Sequence, residues 1–137
     1  MSITFRLAKI DDFDDVSKIV DHLHPMKDVG TNDAKKLFVQ IISEDYPTIV
    51  FSDDKPVAYG CFSIENKIWG KIGHIEDIVV LPNFRKKGFA KILIEEFISL
   101  AKHKGCYKVL LTTRIELLEM YEKFGFREWE SCLRLNP

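Results

Sequence analysis

The chain contains 137 residues, of which 46% are hydrophobic and 30% are charged, and its formal net charge is −1 at pH 7. This length suits one domain, residues 1–137, and the nearly balanced charge excludes a protein that binds nucleic acid or acidic membranes with its whole surface. No apolar run approaches the roughly twenty residues that span a bilayer, so we expect neither a membrane nor a nucleic-acid partner.

The first part of the chain predicts a strand followed by two helices. Residues 2–9 alternate between apolar and polar positions, as a strand does. Apolar residues then recur at helical spacing over residues 13–23, and this helix is expected to end near Pro25. A second helix is expected to begin between Thr31 and Asp33, because the apolar residues that follow share one face.

The rest of the chain predicts short strands around one long helix. The expected strands are residues 46–52, 56–64, 72–81 and 107–113, with one or two more in residues 126–136. The expected helices are Gly88–Lys104, which ends at Gly105, and a short one in residues 115–124. Together these patterns predict an α/β (α+β) domain whose mixed, mostly antiparallel sheet has about six to seven strands and is flanked by about four helices.

Three cations and a glycine precede the long helix, in the order Arg85, Lys86, Lys87 and Gly88. A helix N-terminus offers unpaired backbone N–H groups and a partial positive charge, so this loop suits a pyrophosphate group. Gly88 would allow close approach of the backbone, and the small Ala90 would keep the first turn clear. The same residues also suit a basic loop that only solvates the start of a helix, and the spacing alone leaves both interpretations open.

The order of the predicted elements, with the Arg-x-x-Gly-x-Ala spacing, resembles the GNAT family of N-acetyltransferases over nearly the whole chain. The blocks GHIEDIVV, GCYKVLL and MYEKFGF resemble more particularly the branch of that family that acetylates glucosamine 6-phosphate. The resemblance implies the GNAT fold, acetyl-CoA as cosubstrate and a homodimer. It also implies direct transfer of the acetyl group from the thioester to an amine through a tetrahedral intermediate.

The resemblance assigns coenzyme A to the end of the long third meander strand and to the loop that follows. Ile78, Val79 and Val80 would contact the pantetheine arm and offer a backbone N–H to the thioester oxygen, where negative charge develops. The pyrophosphate would be bound by Arg85, Lys86, Lys87, Gly88, Phe89, Ala90 and Lys91.

Tyr121 matches the family tyrosine that protonates the departing thiolate as a general acid. Composition alone would instead favour an aromatic side chain that packs a helix against the sheet.

On the acceptor side, Glu76 and Asp77 match the acidic pair that binds the amino sugar and helps to remove the proton of its ammonium group. A different interpretation is that they are strand charges paired with Lys71 or Lys91. The resemblance implies further contacts to the sugar and its phosphate from Lys67, Tyr107, Lys108 and Arg134.

Two positions depart from the family pattern, since Thr112 stands where the family has an acidic residue and Leu117 where it has an asparagine that touches coenzyme A. The run LLTTRIELLEMYEKFGF also resembles members that acetylate aminoalkylphosphonates or other small amines, and a domain that binds acetyl-CoA without catalysis is a further alternative.

No metal site is expected, because the four histidines have no metal-binding spacing. Three scattered cysteines without a CxxC pair, and an N-terminus unlike a signal peptide, predict a cytoplasmic protein.

Overall fold

Five strands form one sheet in which each strand neighbours the next along the chain. The computed structural model describes residues 1–137 and places the strands at β1 (Ile3–Leu7), β2 (Tyr46–Ser52), β3 (Lys55–Lys67), β4 (Gly70–Val80) and β5 (Cys106–Leu110). The first four strands are antiparallel, whereas β4 and β5 run parallel because a helix connects them. The predicted mixed, mostly antiparallel sheet is confirmed, with five strands rather than six to seven.

Four helices flank the sheet: α1 (Phe13–Val20), α2 (Thr31–Glu44), α3 (Phe89–His103) and α4 (Leu118–Glu122). Short 3-10 turns precede α1, α3 and α4. The start of α1 is tied to β1 by Arg6, which donates to Asp12 at 2.7 Å, and this bond lowers the pKa of the Asp12 carboxyl. None of these helices is long and apolar enough to span a bilayer.

Two apolar clusters cover the two faces of the sheet, because successive strand residues point to opposite sides. On one face Phe62 stacks on Phe97 of α3, with 5.8 Å between ring centroids. The Phe62 ring also lies directly against Gly73 of β4, since a Cβ added to Gly73 would be 2.6 Å from the ring. On the other face Ile19 of α1 and Phe38 of α2 pack with Ile49, Tyr59 and Val79. The sheet is therefore held between α3 and the α1 and α2 pair.

The expectation of closing strands in residues 126–136 is wrong, since no strand follows β5. This segment carries apolar residues at a spacing that suits a strand, but a strand also needs a hydrogen-bonded neighbour. No strand of this chain pairs with it, and β5 pairs only with β4. Several apolar side chains of the segment are consequently exposed, including Leu133 at 93%.

Candidate active site

A bulge in β4 shapes the end of the sheet nearest the predicted site. Val79 pairs with Tyr59 and Glu76 pairs with Cys61, so β4 contains one residue more than β3 between these pairs. Asp77 lies in this bulge with a φ of 57°, a left-handed conformation that few residues other than glycine tolerate, although aspartate is among them. A bulge bends its strand and re-aims the neighbouring side chains.

β4 and β5 separate beyond this point of the sheet. They pair only from Lys71 to His74, whereas β4 continues to Val80 alongside β3. The backbone groups of β4 on its β5 side are therefore free of sheet partners after His74. Such an edge can form strand-like hydrogen bonds with an extended ligand.

A cavity of about 810 Å³ opens beside the separated strands. It is lined by the end of β4, the residues that follow β5, α4 and residues 126–132 of the C-terminal segment, which is the stretch 126–136. Its polar lining includes His74, Glu76, Asp77, Thr112, Tyr121, Glu122, Arg127, Glu128 and Glu130. The cavity thus brings together Glu76, Asp77 and Tyr121, the three residues predicted for catalysis.

Carboxylates dominate the charge of this cavity. Partial desolvation is the main cause that raises the pKa of both Glu76 and Asp77, and for Glu76 the neighbouring Asp77 adds to the effect. His24, in the segment after α1, opposes the shift at Asp77. With three further glutamates on the wall and Arg127 as the one lysine or arginine, the cavity attracts a cationic group.

Tyr121 lies on the cavity wall with its ring packed edge-on against Phe126, at 6.0 Å between centroids. The residue is 7% exposed, and burial raises the pKa of its hydroxyl. A phenol that stays protonated and faces a cavity can donate a proton to a leaving group. This geometry accommodates both interpretations of Tyr121, since the ring packs in the core while the hydroxyl is available.

The glycine loop before α3 has the backbone shape expected of an anion site. Gly88 is the N-cap of α3 with a φ of 88°, and a Cβ built there would meet no atom within 4 Å. Lys86 is also left-handed, with a φ of 61°. Arg85 donates from Nε to the Val80 carbonyl at 3.1 Å, which holds the loop against the end of β4. Space at the helix N-terminus is thus left open for a ligand.

Two predicted cofactor residues, Phe89 and Val79, can contribute only their backbone, because their side chains are buried. Phe89 is 1% exposed, so its side chain belongs to the core. Ile78 packs in the apolar cluster beneath α3 and Val79 in the cluster beneath α1, because they alternate across the strand.

Glu76 and Asp77 are not paired with the two lysines that the sequence offered as partners. Lys91 lies at the start of α3 with its Nζ 3.7 Å from Glu95, and Nζ of Lys71 contacts the Lys104 carbonyl.

The cations predicted to bind phosphate do not line the cavity of the same chain. Lys67 pairs with Gly70 at the start of β4, and its Nζ lies 3.0 Å from Oε2 of Glu65, the carboxylate that also contacts His74 on the cavity wall. Lys108 is in register with Ile72, and its Nζ lies 5.4 Å from the Tyr107 ring centroid. Arg134 donates to Asn136 at 2.8 Å. One chain therefore gathers the carboxylates and the tyrosine but not these cations.

The cavity also contains residues to which the sequence did not point. His74 lies two positions before Glu76 on the same strand, and its Nε2 is 3.0 Å from Oε1 of Glu65. Strand alternation places His74 and Glu76 on one face, which is a signal the sequence carried. The glutamates of the C-terminal segment had no such signal, because their position depends on how that segment folds back. No group of three residues suited to hold a metal ion is present.

Comparison with known proteins identifies the class to which this fold and site belong. The family model described as "Acetyltransferase (GNAT) family" matches residues 10–126. The chain belongs to this family of acetyltransferases, whose members take their acetyl group from acetyl-CoA. The resemblance noted in the sequence is thereby confirmed.

Two relatives and one solved structure show which acetyltransferases of this family the chain is similar to. The chain is 32% identical over 136 residues to the glucosamine 6-phosphate N-acetyltransferase of Arabidopsis thaliana, a match that covers 91% of each protein. A shorter match, 46% identical over 65 residues, covers 47% of this chain and 44% of the Trypanosoma brucei brucei protein of the same name. The crystal structure of the Arabidopsis thaliana enzyme superposes with a TM-score of 0.89 at 28% identity, covering 99% of each chain.

Proposed function

We propose that this protein transfers the acetyl group of acetyl-CoA to the amine of glucosamine 6-phosphate, as a cytoplasmic enzyme. The observation that carries the reaction is the cavity in which Tyr121 and two carboxylates meet beside the separated strands β4 and β5. The choice of acceptor is supported by the relatives of that name that match most of the chain. Cys61, Cys106 and Cys132 are all free thiols, which suits a reducing compartment.

In this proposal coenzyme A binds along the free edge of β4 and at the start of α3. The pantetheine arm forms backbone hydrogen bonds with Ile78–Val80, and the pyrophosphate is bound by the loop and first turn at Arg85–Lys91. Gly88 keeps the space above the helix N-terminus clear, and the unpaired N–H groups of the first turn face the phosphate oxygens.

The acceptor binds at the acidic wall of the cavity. Glu76 and Asp77 attract the ammonium group, and after it has lost a proton the amine attacks the thioester carbonyl carbon. A backbone N–H of β4 stabilises the negative charge on the carbonyl oxygen. Collapse of the tetrahedral intermediate breaks the C–S bond, and Tyr121 protonates the thiolate. Because burial raises its pKa, the Tyr121 hydroxyl is still protonated when the thiolate leaves.

The phosphate end of the acceptor is proposed to be bound with the help of a second copy of the chain. Lys108 and Arg134 lie outside the cavity of their own chain, so we propose a homodimer in which they, with Tyr107, complete the site of the partner. Lys67 is bound to Glu65 beside His74 and would contact the phosphate from its own chain. The exposed apolar side chains of the C-terminal segment offer a surface for this contact. Sedimentation should show a dimer at micromolar concentration, whereas a monomer would contradict this part of the proposal.

A second candidate is acetylation of a different small amine, such as an aminoalkylphosphonate. The composition of the cavity allows it, since the lining has five carboxylates and Arg127 as the one lysine or arginine. An acidic site attracts any ammonium group, so this composition favours a small amine in general rather than one particular acceptor.

The experiment that tests both candidates is thiol release. The protein is incubated with acetyl-CoA and a panel of amines that includes glucosamine 6-phosphate, glucosamine and 2-aminoethylphosphonate. We expect the fastest release with glucosamine 6-phosphate. Faster release with another amine would support the second candidate, and no release with any amine would support a domain that only binds acetyl-CoA.

A further inference from the structure

His74 lies on the wall of the acceptor cavity in a position that suits proton transfer. It is opposite Ser63 on β3, and Glu76 is opposite Cys61, so both side chains point to the face that carries α1 and α2. The His74 side chain is 27% exposed and lines the same cavity as Glu76 and Tyr121. It is therefore open both to an acceptor and to solvent.

Glu65 determines which nitrogen of the His74 ring is free. Oε1 of Glu65 lies 3.0 Å from Nε2 of His74, and Oε2 of the same carboxylate lies 3.0 Å from Nζ of Lys67. A carboxylate only accepts hydrogen bonds, so it stabilises the proton on Nε2 and leaves the lone pair on Nδ1. Lys67 fixes the carboxylate from its other side. The result is an imidazole with a defined tautomer, held by an acidic partner.

We propose that His74 accepts the proton that the ammonium group of the acceptor loses before attack, and that Glu65 positions His74 for this step. The inference rests on the proposed acetyl transfer and deepens it by assigning the base. Contact between Nδ1 and the ammonium group is direct or through one water molecule, which is the reach required of a general base.

An imidazole suits this step better than the neighbouring carboxylates. A neutral imidazole accepts a proton on Nδ1 and, because the side chain is partly exposed, can pass it to solvent, whereas Glu76 and Asp77 must stay ionised to attract the ammonium group. Glu76 and Asp77 remain well placed to attract the ammonium group and to hold it near His74. Glu65 contacts His74, and Lys67 contacts Glu65. The other titratable groups that line the cavity with His74 are Glu76, Asp77, Tyr121, Glu122, Arg127, Glu128, Glu130 and Cys132.

The protons balance over one turnover. The ammonium group gives one proton to Nδ1 of His74, and the neutral amine forms a C–N bond with the thioester carbon. The C–S bond breaks as the intermediate collapses, and the Tyr121 hydroxyl gives its proton to the thiolate. The second proton of the nitrogen returns to the Tyr121 oxygen, and His74 releases its proton to solvent. One proton is released for each amide formed.

Activity measurements provide the first test. We expect His74→Gln to lower kcat for the preferred acceptor by about 10- to 100-fold, with the Kd for acetyl-CoA unchanged. Added imidazole should restore part of the activity of His74→Ala. His103→Gln, at the exposed end of α3, is the matched control and should behave as the unaltered protein. A His74→Gln rate within twofold of the control, or a fall that imidazole cannot restore, would overturn the proposal.

The role of Glu65 is tested by separating kcat from KM. Glu65→Gln keeps the size of the side chain, but its amide group can present either an oxygen or an N–H to His74 and so no longer selects one tautomer. We expect kcat to fall while the KM for the amine and the melting temperature stay nearly unchanged. A side chain that only supports the sheet would lower the melting temperature instead, and an unaltered kcat in Glu65→Gln would contradict the positioning role.

A spectroscopic measurement separates this inference from the identity of the acceptor. Long-range ¹H–¹⁵N NMR of the imidazoles, with His74→Gln to assign the signal, should show His74 protonated on Nε2 in the unaltered protein and altered in Glu65→Gln. A proton on Nδ1 would overturn the inference whatever amine is acetylated. If wild-type protein releases no thiol with any amine, the proposed function fails instead, and the base assignment fails with it even where the tautomer is as expected.

Discussion

The Tyr121 hydroxyl shares its cavity with Glu76 and Asp77, and burial raises its pKa above the ordinary tyrosine value of about 10. A group with a raised pKa stays protonated to higher pH, so the acid should remain functional through the whole neutral and mildly alkaline range. The motif around Tyr121 predicted its role by resemblance. Its edge-on contact with Phe126 and the further glutamates on the cavity wall were not visible in the sequence, because they depend on how the chain folds back after β5.

The first prediction concerns this hydroxyl. Tyr121→Phe should lower kcat by about 10- to 1,000-fold and leave the Kd for acetyl-CoA nearly unchanged, since a general acid acts in the transition state. Steady-state kinetics and direct titration with acetyl-CoA measure the two effects. Tyr46→Phe, which removes a hydroxyl from a ring packed against Phe62, is the matched control. Equal turnover in both variants would assign Tyr121 to packing alone.

Asp77 combines two properties that a substitution can separate, namely its charge and its left-handed backbone. Asparagine also tolerates this conformation, so Asp77→Asn removes the charge with little strain. Loss of one charged contact, about 1.5 to 3 kcal/mol, predicts a kcat/KM for the amine that is roughly 10- to 100-fold lower, with the melting temperature nearly unchanged. An unaltered kcat/KM would show that Asp77 serves only the bulge.

The raised pKa of Asp77 adds a pH effect to this prediction. A carboxyl group with a raised pKa loses its charge at a higher pH than usual as the solution is acidified. The affinity of the unaltered protein for the ammonium group should therefore weaken in mildly acidic solution, and Asp77→Asn should lack that part of the dependence.

At the scale of elements, α3 was the most predictable feature and the bulge in β4 the least. The apolar spacing and Gly105 predicted a helix from Gly88 to Lys104, and the structure has Phe89–His103. An extra residue in a strand leaves no mark on the alternating pattern until its partner strand is known, so the bulge at Asp77 could not be read from the sequence.

Two glycines, one before α3 and one after it, offer a controlled test of the pyrophosphate loop. Gly88 and Gly105 both have a positive φ, 88° and 76°, and neither has an atom within 4 Å of an added Cβ. Valine at either position should cost a similar 1 to 2 kcal/mol or so of folding stability. Only Gly88→Val should weaken acetyl-CoA binding, by roughly 30-fold, or about 2 kcal/mol, from the loss of charge-assisted contacts. Equal acetyl-CoA affinities in the two variants would contradict the loop assignment.

At the scale of the whole molecule, the sequence predicted the α+β architecture because most elements are stabilised by contacts within the chain. The C-terminal segment is the exception. Its spacing suits a strand, but the structure leaves Trp129, Leu133 and Leu135 exposed. In the proposed homodimer the separation of the carboxylates from Lys108 has the same origin, since residues that match one family site need not meet in one chain when a second copy completes it.

The most direct measurement of the central proposal compares kcat/KM for glucosamine 6-phosphate with that for glucosamine, by thiol release at fixed ionic strength. Two charged contacts to the phosphate, at about 1.5 to 3 kcal/mol each, predict a preference of at least about 100-fold, and Lys108→Ala should remove much of it. A ratio near one would contradict the assignment of an amino-sugar phosphate as the acceptor.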